Sequence, residues 1–127
     1  MQKYDPQNAP DPEQWLAMDE QERIDLVRRF HRKAKIKLPN ERLHATIHVI
    51  VENQIAMGDE IPVRRVIERL RTEGLNRHDA IHAVGSVLAG RIYETMQLES
   101  PAGDELNTGY FQELEELNAE EWLRSFD

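Results

Sequence analysis

Apolar residues recur along most of this chain at the three- and four-residue spacings of amphipathic helices. Ile24, Leu26, Val27, Phe30 and Ala34 form a broad stripe that predicts a helix from about residue 20 to Lys35. Leu43, Ile47, Ile50, Val51, Ile55 and Met57 share one arc of a second helix, from about Glu41 to Met57. Val63, Val66, Ile67 and Leu70 mark a third. The longest is expected from about Arg77 to Gln97, with His78, His82, Gly85, Ala89, Ile92 and Met96 in one narrow arc. Phe111, Leu114 and Leu117 define a short helix near the end, and Trp15-Leu16 and Trp122-Leu123 anchor two shorter ones.

The boundaries carry their own chemistry. Asp11 before Pro12, Asp19 three residues before Glu22, Asn40 after Pro39, and Asn76 three residues before Asp79 are N-cap signatures. Gly58 and Gly74 supply stops, and Pro62 starts the third helix. Gly85 lowers helix propensity, so close approach of a partner backbone is its expected purpose. The fold class is all-α: a small orthogonal or antiparallel bundle of about four main helices closed by short terminal helices. One domain is expected over residues 1–127. Residues 1–10 have no apolar period and are expected as a flexible arm, and residues 99–109, around Ser100-Pro101-Ala102-Gly103, as a mobile loop. The aromatics Trp15, Trp122 and Phe126 are expected to clamp the terminal helices onto the bundle; the other reading is a docking peptide for a partner.

Composition narrows the class. The chain has no cysteine, which removes disulfides, thiolate ligands and cysteine nucleophiles and suits a reducing cytoplasm. No apolar run reaches the length of a membrane span, and the N-terminus lacks the pattern of a secretory signal, so a cytoplasmic protein is expected. The net charge of -8 is uneven: a mildly basic centre lies between acidic ends. Six bases and no acid lie in the stretch Val27 to Lys37. They are read as cations at a helix C-terminus, facing the acidic tail, rather than as a nucleic-acid contact, because no recognition motif accompanies them. His31, inside that stretch, is expected to be partly exposed.

The chemical signal is a repeat. Leu43-His44-Ala45-Thr46-Ile47-His48 and Arg77-His78-Asp79-Ala80-Ile81-His82 each hold two histidines four residues apart. That spacing puts both rings on one helix face. Glu52 extends the first pair by one turn, and Tyr93 lies near the face of the second. If the two helices are neighbours, His44, His48, His78 and His82 converge as metal ligands, with Glu52 a fifth ligand or a partner behind one. Neither copy has the Glu after the first His that zinc proteases use, so that reading is rejected.

From about Leu43 to Tyr93 the chain resembles a bacterial family of small helical proteins known only as a domain of unknown function. The features shared are Leu43-His44, His48, Glu52 with Gln54, the Pro62 helix, and then His78, Ala80, His82 and Leu88. The resemblance implies an all-helical fold with a duplicated His-x-x-x-His helix and no assigned activity. Relatives carry a carboxylate where this chain has Ser86, so a symmetric two-metal site is not implied here.

Two function classes follow. One is a metal-binding protein that holds a divalent transition metal (Zn, Fe or Mn), with any chemistry hydrolytic or redox. The other is a non-enzymatic interaction module or homodimer in which the histidines only pack. No catalytic residue stands out, and neither nucleic acid nor a membrane is expected as a partner.

Overall fold

The structure, a computed structural model, describes residues 3–33, 40–97 and 104–125. It is all-helical, with no strand among the described residues. In chain order the helices are α1 (Pro12–Ala17), α2 (Glu20–Lys33), α3 (Glu41–Ala56), α4 (Val63–Thr72), α5 (Arg77–Gln97), α6 (Asp104–Glu116) and α7 (Ala119–Arg124), with a 3-10 turn at Gly58–Glu60.

The expected caps are in place. Asp11 accepts from the Gln14 N–H at 3.1 Å, Asp19 from Glu22 at 3.0 Å and Asn40 from Leu43 at 3.0 Å. Asn76 accepts from Asp79 at 2.8 Å, and Asn118 does the same for Glu121 at 2.8 Å. Each of these side chains satisfies one N–H that the helix leaves unpaired. Gly74 closes α4 at φ +112°, a conformation that a side chain would strain.

α3 is the shared wall of the bundle, packing against α1, α2, α4 and α5. On one side Val49 and Ala45 join Trp15 of α1 and Ile24, Leu26 and Val27 of α2. On the other, Val51 joins a larger cluster of α4, α5 and α6, including Leu70, Ile81, Val84 and Leu114. α4 is too short to be stable alone. It is held because Val63, Val66, Ile67 and Leu70 are all buried, each contributing about 1.5–3 kcal/mol. α3 and α5 meet closely at Gly85, where an added Cβ would stand 3.2 Å from Ile47 Cγ2. The close approach expected at Gly85 is therefore present, but it is to the side chains of Ile47 and Val51 rather than to a partner backbone.

Trp15 is fully buried, and its indole N–H donates to Asn53 at 2.8 Å, so α1 is clamped to α3 as expected. Trp122 is half-buried against the larger cluster. Phe126 lies outside the described residues, as do residues 34–39 of the basic stretch.

Three expectations need correction. Residues 1–10 are not simply a loose arm: Tyr4 and Pro6 are buried, and the Pro6 carbonyl accepts from Arg77 at 2.9 Å. Of the loop expected over 99–109, residues 104–109 already belong to α6; the remainder lies outside the described residues. Arg28 and Arg32 do not face the acidic tail but share Glu41, at 3.3 and 2.8 Å. No helix among the described residues is long and apolar enough to cross a membrane.

Candidate metal centre

All five histidines of the chain gather where α2, α3 and α5 meet. α3 brings His44 and His48, α5 brings His78 and His82, and α2 brings His31. The rings of His78 and His82 are 4.2 Å apart, centre to centre; His31 lies 4.9 Å from His44 and 5.5 Å from His48. His44 and His82 face each other across α3 and α5 at 5.0 Å.

Within this group, His31, His48, His78 and His82 can each offer one nitrogen such that all four lie within 4.8 Å of one another. His44 stands against this set rather than in it. His31 was expected at the surface and is instead fully buried. The reason is its register: it follows Ile24 by seven residues and Val27 by four, so it continues the buried stripe of α2 while Arg28, Arg29 and Arg32 point elsewhere. That spacing was available in the sequence, but the surrounding bases masked it.

Glu52 lies behind His48. It is buried, and Arg77 grips it with two hydrogen bonds of 2.7 Å, Nη1 to Oε2 and Nη2 to Oε1. The Tyr4 hydroxyl donates to Glu52 Oε2 in a short bond and lies 2.7 Å from His48 Nε2. Tyr4 has one hydroxyl proton. With that proton directed to the carboxylate, its oxygen can only accept from His48, which places the ring proton on Nε2. Nδ1 of His48 then carries a bare lone pair. A histidine oriented through its second nitrogen by a hydroxyl and a carboxylate is the usual support of a metal ligand. Nothing in the sequence linked Tyr4 to this site. Tyr93, by contrast, is 65% exposed and contributes nothing to it.

The electrostatics favour neutral imidazoles. Burial is the largest influence on all five and lowers every pKa. His31 is pushed down to about 4, first by burial and then by His44 and His78. His82 falls to about 3 by burial, then by His78, His44 and His31. His48 is held well below the usual range by burial and the four neighbouring rings. The cluster therefore presents uncharged donors at neutral pH, the protonation state that metal binding requires.

Nδ1 of His48, Nε2 of His44, His78 and His82, and at least one nitrogen of His31, which sits beside the Val27 carbonyl, are buried without a hydrogen-bond partner in the protein. Buried polar atoms left unpaired cost about 1–3 kcal/mol each. A cation would satisfy several at once. Zinc with nitrogen ligands at about 2.0–2.1 Å holds them roughly 3.4 Å apart in a tetrahedron. The four-histidine set, whose nitrogens lie within 4.8 Å of one another, would have to tighten to reach this. No family model, curated protein or solved structure matches this chain.

Proposed function

We propose that this protein binds one divalent transition metal through His31, His48, His78 and His82, with His44 beside the centre and Glu52 supporting His48 through Tyr4. One observation carries the reading: four imidazoles from three helices, those of His31 and His48 buried and those of His78 and His82 half-buried, bring nitrogens that lack protein partners close together. A purely structural histidine is normally hydrogen-bonded when buried. Five neutral rings gathered in one cluster, with buried nitrogens left unpaired, are poorly explained by packing alone.

The donor set shapes the choice of metal. Imidazole suits zinc and iron, whereas manganese favours carboxylate and water oxygens. Glu52, one turn beyond the first histidine pair, is already committed to Arg77 and Tyr4. An all-nitrogen set thus favours zinc over iron, and iron over manganese. A cation held there would act as a Lewis acid on a bound ligand or as a structural cross-link between α2, α3 and α5.

The test is elemental analysis of tag-free protein before and after dialysis against a chelator. One zinc or iron per chain, lost in His48→Ala and His82→Ala, is the expected result. Metal-free protein whose melting temperature ignores added metals would leave the histidines as packing residues.

A further inference from the structure

A cavity of about 740 Å³ opens beside the histidine cluster, between α3 and α5, and α7 forms its outer wall. His44, His48 and His82 line its inner end. Leu43, Ile47, Ile81, Ala89 and Trp122 make its sides largely apolar. α7 is held in that place by the Ala119 N–H, which donates to Glu73, the residue that follows α4, at 2.9 Å.

We infer that this cavity seats the apolar body of a small organic monoanion whose oxygen head binds the metal, with His44 hydrogen-bonding that head. The inference rests on the metal reading above and extends it to the class of ligand. Three observations support it. The volume falls within the range of about 300–1,000 Å³ typical of small-molecule sites, which are mostly apolar with a few convergent polar groups. The polar groups here are the right ones: Nε2 of His44 and of His82 are buried, lack protein partners and belong to residues lining the cavity.

The third observation is charge. Four neutral imidazoles leave a divalent cation with its full positive charge. Glu52 does not offset it, because Arg77 already matches that carboxylate. Asp79 lines the same cavity and offsets one of the two positive charges, so one remains for a bound ligand to match and the fit is to a monoanion. His44, which stands outside the four-histidine set, is free to donate to the bound head.

The experiment uses full-length, tag-free protein loaded with cobalt(II), whose visible spectrum reports its ligands. It is titrated with straight-chain carboxylates from acetate to octanoate. The spectrum is expected to shift on binding, with affinity rising up to about fourfold per added methylene as the chain enters the apolar cavity. Octyltrimethylammonium, equally apolar but cationic, is expected to leave the spectrum unchanged. Ala89→Phe, at an exposed position on the cavity wall, is expected to weaken octanoate by about tenfold or more while leaving cobalt and acetate binding intact. Bound cobalt with a spectrum blind to every carboxylate, or affinity flat along the series, overturns the inference and leaves the metal reading standing. So does an octanoate affinity unchanged in Ala89→Phe. Failure to bind cobalt at all overturns the metal reading, and this inference with it.

Discussion

The Tyr4 hydroxyl lies 2.7 Å from Nε2 of His48, joining the start of the chain to the middle of α3. Tyr4 also donates to Glu52, so this one oxygen sets which His48 nitrogen is free. The folded protein is expected to hold His48 as the Nε2–H tautomer, read directly from its 15N shifts by NMR. Tyr4→Phe removes two hydrogen bonds from buried partners and should cost about 1–3 kcal/mol in urea unfolding. It should also release the tautomer preference and weaken zinc by about 10–100-fold, as loss of a ligand's orienting partner does. A proton found on Nδ1 of His48 in the metal-free wild type would sink this account.

Arg77 and Glu52 form a buried, doubly hydrogen-bonded pair that holds Pro6 and Tyr4 in place as well. Removing one partner leaves an uncompensated buried charge. Arg77→Ala or Glu52→Ala is expected to destabilise the protein by about 3–5 kcal/mol. Replacing both together by apolar residues of similar size should recover most of that stability. Chemical denaturation of the two single variants and the double variant checks this. A loss below about 1 kcal/mol in either single variant would contradict the geometry.

Much of the fold was legible because it rests on local signals. Asn40, Asn76 and Gly74 act within a turn of the helices they bound, and Gly85 announced a close contact that Ile47 provides. The two histidine pairs were equally legible, since a four-residue spacing fixes their helix face whatever the tertiary fold. What the sequence hid depends on distant partners. Tyr4 sits in a proline-rich segment without periodicity, and its role comes from packing against Trp15 and Phe30 as well as from Glu52 and His48. Arg77 resembled any surface base until Glu52 was placed opposite it. His31 lay between, with a buried register present but overwritten by its basic neighbours.

His31 therefore separates the structural reading of the site from the one the two repeats suggest. It belongs to the convergent set, whereas His44 stands beside it. His31→Ala is expected to weaken zinc by more than about 100-fold, exceeding the loss typical of a supporting residue. His44→Ala should lose much less. Competition with a chromophoric chelator measures both. The reverse order would show that the site is built from the repeats alone, with His31 as packing.

Acid should destabilise the metal-free protein before ordinary carboxylates protonate. The folded-state pKa of His31 is about 4 and that of His82 about 3, while the unfolded chain takes up their protons near pH 6.5. Between those limits the unfolded state binds more protons than the folded one, so stability rises with pH. The contribution is complete above about pH 6.5 and is lost progressively as pH falls toward the folded values. Near pH 5 these two residues alone give a slope of about 2 kcal/mol per pH unit. Urea midpoints of chelator-treated protein from pH 8 to 5 test this, with His82→Leu expected to flatten the curve below pH 6.5. Stability that stays constant from pH 7 to 5 would mean that the folded and unfolded chains take up the same protons, so that burial does not hold the rings neutral, and this account of the cluster would fail.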